Sequence, residues 1–208
     1  MGLFCVVSLF KYNARMQDIL AKLFGSPHRA KLLRLFLFNQ TNSFSVAEVS
    51  RRTRVPTTAV RRELELFSAI KLLKVRKRSS GYKSYILNTK FEYLEAIHAL
   101  LLNLPLRSRM IVDRIKNIGA VKLIVLSGVF IDQNTGRVDL MVVGDNIAER
   151  KLKEAVRFVE AEIGKELRYV SMPTDEFKYR LNIYDKLVRD VIDYPHTVAL
   201  DKLNLVLK

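Results

Sequence analysis

Residues 44–73 read FSVAEVSRRTRVPTTAVRRELELFSAIKLL, and this stretch decides the fold of the first half of the chain. Ser45 and Glu48 have the spacing of a capping box at the start of a helix. Val55-Pro56 predicts a break, after which a second helix starts at Thr57. The apolar residues of this second helix recur at helical spacing, at Val60, Leu64, Phe67 and Ile70. The stretch therefore predicts two consecutive helices joined by a short turn.

Helices and a hairpin flank this stretch. A short helix is predicted over 17–24, ending at Gly25, and Ser26 caps a further helix that has Pro27 at its first position. After the stretch, residues 73–87 alternate as two strands, with a turn signal at Ser79-Ser80-Gly81. The order of elements is therefore helices, then a hairpin.

Positive charge is concentrated in the first half of the 208-residue chain, whose formal net charge is +15. Residues 1–103 carry 18 Lys and Arg against 6 Asp and Glu, a net +12, and residues 104–208 carry 18 against 15, a net +3. Within residues 45–90 the count is 12 against 3. This asymmetry predicts a polyanionic partner for the first half, and the motifs favour double-stranded DNA. RNA is the alternative, although no aromatic RNA-recognition signature is present.

Basic and hydroxyl side chains would supply the contacts with DNA. In a helix-turn-helix the first turns of the second helix reach base edges in the major groove, where Arg61 and Arg62 would bond guanine. A basic hairpin beside it would follow phosphates or the minor groove. The predicted DNA-binding residues are Arg51, Arg52, Arg54, Thr57, Thr58, Arg61, Arg62, Lys74, Arg76, Lys77, Arg78 and Lys83.

Residues 20–88 resemble the ArsR-like winged helix-turn-helix family of DNA-binding regulators, and the stretch 44–73 with its basic hairpin carries the resemblance. It implies a winged helix-turn-helix domain. Lys71 departs from the family, which usually has Gly where the recognition helix ends. The following amphipathic helix, over 90–103, is a candidate homodimer contact, and packing on the second domain is the alternative interpretation.

The second half alternates segments of buried-strand type with helices. A helix is predicted over 106–118. Two strands follow in VKLIVLSG (121–128) and VDLMVVGD (138–145), then a helix over 147–163, a strand in ELRYVSM (166–172), a helix over 174–192 and a short strand in HTVAL (196–200). This order predicts an α/β domain with a small mixed sheet, so the chain is α/β in class and α+β overall.

The segment LSGVFIDQNTGRVDLMVVGD, residues 126–145, resembles the minimal nucleotidyltransferase fold of the DNA-polymerase-β-like superfamily. That family has a Gly-Ser pair that holds nucleotide phosphate and two acids, spaced Asp-x-Asp, that hold two magnesium ions. The corresponding pair is reversed, as Ser127-Gly128, and Arg137 stands two residues before Asp139, at the first acidic position. The third acid is also absent from residues 168–171.

A fixed guanidinium beside such a site repels divalent cations. The resemblance therefore implies a degenerate nucleotide site at Ser127, Gly128, Arg137 and Asp139, with no catalytic residue, no metal and no cofactor. The whole chain resembles small bacterial transcriptional regulators. We expect a cytoplasmic, sequence-specific DNA-binding transcriptional regulator, in which this pseudoenzyme domain serves as a scaffold or as a sensor for a nucleotide or protein effector.

Two other functions stay open. A divergent nucleotidyltransferase would need a replacement acid, for which Asp132 and Asp145 are candidates. An antitoxin-like module that binds a partner protein is the other alternative.

The predicted organisation is a flexible extension over 1–16, a winged-helix domain over 17–89, a connecting helix over 90–104 and a transferase-like domain over 105–208. Leu104-Pro105 marks the boundary between the two domains.

The apolar run over 3–10 precedes its basic residues, unlike a secretory signal, and Met16 is an alternative start. No apolar run approaches the ~20 residues of a membrane span. Cys5 is the single cysteine, which excludes a disulfide framework within the chain.

Overall fold

The chain combines helices with two β-sheets, which confirms the expected α/β class. The computed structural model describes residues 19–77, 82–102, 108–131 and 138–205. These form two compact units. The first unit comprises the described residues up to Leu101 together with Ala161–Lys165, and the second comprises Leu102–Glu160 and the residues from Glu166 onward. The predicted boundary at Leu104-Pro105 lies outside the described residues.

Among the described residues up to 102, helices and a short strand come first, and a hairpin and a further helix follow. The elements are α1 (Ile19–Leu23), α2 (Pro27–Phe38), β1 (Phe44–Ser45), α3 (Val46–Thr53), α4 (Thr57–Ala69), β2 (Leu73–Lys77), β3 (Lys83–Leu87) and α5 (Leu94–Leu102). The strands form one antiparallel sheet in the order β1-β3-β2. The predicted hairpin is confirmed, and its turn at 79–81 lies outside the described residues.

Local capping explains where these helices start. The Ser26 hydroxyl accepts a hydrogen bond from the Arg29 N–H at 3.2 Å, at the start of α2. Ser45 and Glu48 form the reciprocal capping box at the start of α3, with the Ser45 N–H donating to Glu48 Oε2 at 2.6 Å. Both caps were predicted and both are confirmed. The break at Pro56 is confirmed as well, because α4 starts directly after it.

The core of the first unit is built around α2, which is apolar on nearly every side. Its buried residues are Ala30, Leu32, Leu33, Leu35, Phe36 and Leu37. Three members of the predicted α4 stripe are buried with it, at Val60, Leu64 and Phe67. The prediction for Ile70 is wrong, since this residue is 49% exposed. Helix α4 ends at Ala69, and Lys71 at φ 64° redirects the chain so that Leu72 takes the interior position.

The second unit places helices around a four-stranded sheet. Its elements are α6 (Ser108–Ile115), β4 (Ala120–Leu126), a 3-10 turn (Gly128–Ile131), β5 (Leu140–Asp145), α7 (Glu149–Ile163), β6 (Tyr169–Met172), α8 (Thr174–Asn182), α9 (Lys186–Ile192) and β7 (Thr197–Asp201). The order is β6-β5-β4-β7, with β5 and β6 parallel and the other pairs antiparallel. The sheet is therefore mixed, as predicted, and α7 supplies the crossover that a parallel pair requires.

The single helix predicted over 174–192 is wrong. Two helices occupy this range, because Tyr184 adopts a left-handed φ of 56° and interrupts the helical hydrogen bonding. Asp185 then caps α9, its carboxylate accepting from the N–H groups of Leu187 and Val188. The apolar side chains of both helices still pack on the sheet, as Phe177 and Val188 are fully buried. Among the described residues, no helix is long and apolar enough to cross a membrane.

Candidate functional site

The turn between α3 and α4 presents an exposed arginine. Arg54 ends α3 with φ 55° and ψ 33°, a left-handed conformation that non-glycine residues seldom adopt. Ser50 fixes the turn, since its hydroxyl donates to the Val55 carbonyl at 2.7 Å. The Thr57 hydroxyl lies 3.4 Å from the same Ser50 oxygen. The chain therefore holds Arg54 in a fixed, solvent-facing position beside the start of α4.

Most of the basic side chains that the structure describes around this turn and along the hairpin are exposed. Among the described residues, those that form neither an ion pair nor a side-chain hydrogen bond are Arg51, Arg54, Arg61, Arg62, Lys74, Arg76, Lys77 and Lys83. We call these eight residues the open basic set. Thr57 and Thr58 are exposed at the first turn of α4, beside Arg61 and Arg62. The structure thus leaves most of the predicted DNA-binding side chains accessible to a polyanion.

Two of the basic residues predicted to bind DNA are not members of the open basic set. Arg52 is half-buried, and its guanidinium carbon lies 5.1 Å from the centre of the Phe44 ring. This cation–π contact gives Arg52 a packing role between α3 and β1. Arg78 lies outside the described residues.

The hairpin brings like charges together. Lys77 of β2 pairs directly with Lys83 of β3, and Lys74 and Arg76 follow on β2. Directly opposed like charges destabilise a sheet unless an anion lies near them. Val75, in the middle of β2, is 48% exposed, whereas Leu73, two residues earlier on the same strand, is buried. The described end of the hairpin is therefore cationic, and most of β2 is exposed to solvent.

One buried ion pair in the first unit was missed by sequence reasoning. Glu63 of α4 is buried, and its Oε2 accepts from Arg29 Nε of α2 at 2.7 Å. Arg29 Nη1 also donates to the Phe24 carbonyl at 2.9 Å. The available signal was the position of Glu63, three residues after buried Val60 and four before buried Phe67. An acidic residue among the buried positions of a helix indicates that its carboxylate is paired with a cation within the protein interior.

The residues of the predicted degenerate nucleotide site that the structure describes lie where β5 and β6 begin. Asp139 precedes β5 and Arg168 precedes β6, and these strands are parallel neighbours, so the two residues lie side by side. Asp139 is only 1% exposed. Its Oδ2 accepts from Arg168 Nε and from the Arg168 N–H, each at 2.9 Å. Its Oδ1 accepts from Arg168 Nη2 at 2.9 Å and from the Val129 N–H at 3.0 Å.

These contacts keep the carboxylate ionised. Burial alone would raise the pKa of Asp139, but the hydrogen bonds from the Arg168 side chain, the Arg168 N–H and the Val129 N–H outweigh it, and the pKa is lowered. The same contact raises the pKa of Arg168. Both oxygens of Asp139 are therefore committed to donors of this chain, and a guanidinium occupies the adjacent space. The described donor set does not fit a pair of magnesium ions, which require several unengaged oxygen ligands.

Ser127 and Gly128 also serve the protein's own structure. The Ser127 hydroxyl donates to the Val138 carbonyl at 2.6 Å, and the Ser127 N–H donates to the Asp139 carbonyl at 2.9 Å. Gly128 has φ +56°, and a Cβ built there would overlap Asp139 Oδ1. The glycine therefore makes room for the Asp139 carboxylate. With Ser127 and Val129 N–H groups both donating to Asp139, this loop offers few unengaged donors for phosphate.

The structure places one of the three remaining residues named for this site, Asp145. Arg137 and Asp132 lie outside the described residues. Asp145, a candidate replacement acid, accepts from Lys122 Nζ at 2.8 Å and from the N–H and hydroxyl of Thr174, each at 3.0 Å. These contacts lower the pKa of Asp145 to about 2. Asp145 therefore ties β4, β5 and the start of α8 together.

In the described ranges, no three His, Cys, Asp or Glu side chains come close enough together to hold a metal ion. No protein-family model matches this chain. Neither a curated protein nor a solved structure gave a match when compared with it.

Proposed function

We propose that the first unit binds double-stranded DNA and that the protein is a sequence-specific transcriptional regulator. The observation that carries this proposal is the open basic set: eight exposed cations on α3, α4, the turn between them and the hairpin that have no ionic partner within the part of the chain that the structure describes. Unpaired cations gathered in one unit attract a polyanion, because each phosphate they neutralise releases a condensed counterion.

The elements that carry these cations suit a duplex. A helix that enters the major groove reads base edges with the residues of its first turns, and α4 presents Thr57, Thr58 and Arg61 there. The cationic end of the hairpin, with Lys77 opposite Lys83, would gain stability from a phosphate lying between the two ammonium groups. Helix α4 would supply base contacts, and the hairpin would supply backbone contacts.

The experiment is a salt titration of DNA binding with the full chain. We expect log affinity to fall linearly with log salt, by about 0.9 for each phosphate neutralised. Replacing Arg76, Lys77 and Arg78 together by Ala should reduce the slope and weaken all sequences alike. An unchanged slope would remove the hairpin from the interface. Double-stranded RNA serves as the competing probe, and preferential binding to it would overturn the DNA proposal.

The second unit acts in this proposal as a scaffold or sensor without nucleotidyl transfer. The support is the Asp139–Arg168 pair, which engages both carboxylate oxygens of the remaining family acid. Incubation with labelled ATP, GTP and CTP, magnesium or manganese and candidate acceptors tests this. Turnover that disappears in Asp139→Asn would instead favour a divergent nucleotidyltransferase.

A gain-of-function series sharpens the same test. Arg137→Asp alone should give little magnesium binding, because Arg168 still holds Asp139. Arg137→Asp combined with Arg168→Ser should bind magnesium more tightly, since the double change adds an acid and frees Asp139. Calorimetric titration with magnesium measures both. Equal binding by the two variants would show that Arg168 does not limit access to Asp139.

A further inference from the structure

Residues 45–90 contain three acidic residues among twelve basic ones, and internal contacts account for two of the three. Glu48 completes the capping box of α3, where its carboxylate accepts from the backbone N–H of the cap residue at 2.6 Å. Glu63 is buried and paired with Arg29. Glu65 is exposed on α4, and it forms neither an ion pair nor a side-chain hydrogen bond with any residue that the structure describes. Glu65 is therefore an unneutralised negative charge within a strongly basic part of the chain.

Glu65 lies on the side of α4 that faces away from the core of the first unit. Successive residues turn by about 100° around a helix, so spacings of four and three place Thr58, Arg62 and Glu65 on one side. All three side chains are exposed, whereas Val60 and Leu64 are fully buried on the opposite side. The side of α4 that would enter the major groove therefore carries a hydroxyl, a guanidinium and a carboxylate in line.

The usual structural role of an exposed glutamate does not account for Glu65. Arg61 stands four residues before it and Arg62 three, which are the spacings at which a helix forms surface ion pairs. Neither arginine pairs with it in the described ranges, and both belong to the open basic set. A helix also favours the opposite order, with the acid before the base. The carboxylate oxygens of Glu65 are therefore available to a donor from outside the chain.

A carboxylate on this side of α4 has one chemical partner in the major groove that suits it. The phosphates of DNA repel a carboxylate, which lowers its affinity for any duplex that offers it no donor. Cytosine offers a donor, because its N4 amine lies in the major groove and bonds Glu or Asp, while guanine accepts from Arg at O6 and N7. Glu65 stands about 4.5 Å along α4 from Arg62. Base pairs lie about 3.4 Å apart, so the two side chains would reach the same base pair or neighbouring ones.

We propose that Glu65 is a specificity-determining residue that selects cytosine beside the guanine that Arg62 reads. Its carboxylate accepts a hydrogen bond from cytosine N4, and this bond offsets its repulsion from the phosphates. On other sequences the repulsion is not offset, so Glu65 weakens the binding of unrelated DNA that the open basic set would otherwise hold. The inference rests on the proposed DNA binding and names a base that the same surface reads.

A selection from random DNA by the full chain, followed by affinity measurements on the selected site and on unselected DNA, tests the inference. The wild-type chain should select a cytosine, and Glu65→Ala should reduce the preference for that cytosine by about fivefold or more. Glu65→Gln should shift the preference at the same position towards adenine, because a carboxamide bonds adenine N6 and N7 together. Both variants should bind unselected DNA about two- to fivefold more tightly at low salt, because a negative charge near the phosphates is removed.

Glu95→Gln is the matched control. Glu95 is exposed on α5, outside the elements that carry the open basic set, and its change removes the same charge. Base preference should stay as in the wild type. An equal gain on unselected DNA in Glu95→Gln would overturn the local repulsion by Glu65.

The wild-type measurement separates the two levels of the proposal. Wild-type base preferences that survive in both Glu65→Ala and Glu65→Gln would overturn the role of Glu65 while leaving the proposed DNA binding intact. A wild-type chain that fails to bind duplex DNA would overturn the proposed function, and this inference with it.

Discussion

The two arginines in the first turns of α4 and the arginine that precedes β6 have opposite surroundings. Arg61 and Arg62 on α4 are exposed and have no ionic partner among the described residues. Arg168 in the second unit instead makes three hydrogen bonds to one buried carboxylate through its side chain and its N–H. The same residue type is therefore an unneutralised charge in one unit and half of an internal ion pair in the other.

This difference shows why net charge alone does not locate an interface. Residues 104–208 contain 18 cations although their net charge is only +3. The cations that have described carboxylate partners are already neutralised within the fold. Residues 45–90 carry 12 cations and 3 acids, a net +9, and eight of these cations form no ion pair with a residue that the structure describes. An unpaired cation is available to a polyanion, whereas a paired one must first give up its carboxylate.

The largest expected effect comes from removing the buried acid. Asp139→Ala leaves the Val129 and Arg168 N–H groups without acceptors and Arg168 without its partner, which should lower the free energy of unfolding by about 3 kcal/mol. Because the pKa of Asp139 is lowered in the folded state, this stabilisation is present at neutral pH and declines as the pH falls below 3.8. Urea unfolding measures the loss. A change below about 0.5 kcal/mol, typical of exposed positions, would contradict the structural role.

The next effect separates paired from unpaired arginines within the first unit. Arg29→Ala leaves the Glu63 carboxylate buried without its partner and should lower the free energy of unfolding by about 2 kcal/mol. Arg62→Ala, on the exposed side of α4, should change stability by less than about 0.5 kcal/mol. Thermal or urea unfolding of the two variants gives the comparison. Equal losses would mean that Arg62 has a structural partner.

A smaller effect concerns sequence discrimination. If Arg61 bonds guanine, Arg61→Ala should lower affinity for the preferred site by about tenfold more than affinity for random DNA. The preferred site would come from a selection on genomic fragments, and fluorescence anisotropy would give both affinities. Equal losses on the two DNAs would make Arg61 a phosphate contact only. The same measurement applies to Arg62.

The smallest effect uses the two basic residues with left-handed backbone. Lys71 and Arg54 have φ values of 64° and 55°. A change to Gly removes the steric cost of a side chain in the left-handed conformation, which stabilises the folded state. It also raises the entropy of the unfolded chain, which opposes folding by a smaller amount. Each change to Gly should therefore stabilise the chain by about 0.5 to 1 kcal/mol. Arg54→Gly should also weaken DNA binding, because Arg54 belongs to the open basic set, whereas Lys71→Gly should leave it unchanged. Melting temperatures and DNA affinities measured on both variants test this pairing, and a destabilised Lys71→Gly would contradict it.

Local chemistry made much of the fold predictable. The caps at Ser26 and Ser45, the break at Pro56 and the hairpin depend on contacts between residues a few positions apart. Predictions from short stretches fail where an element ends at a position that its apolar pattern does not mark. The pattern over 174–192 is compatible with one helix, and its division depends on a left-handed Tyr184 and on the cap from Asp185. Ile70 fits the apolar period, but the helix ends one residue earlier.

The elements, their order and the uneven distribution of charge follow from the amino-acid sequence, because helical and strand periods, caps and charge counts are properties of short stretches. Which charges are neutralised depends on contacts between residues far apart in the chain. Arg168 stands 29 residues from Asp139, Glu63 stands 34 from Arg29, and Glu162 stands far along the chain from Lys31. Such partners meet only when the sheet register and helix packing bring them within hydrogen-bonding distance. Whether a charged side chain stays available to a polyanion or is neutralised by an internal pair follows from that three-dimensional placement.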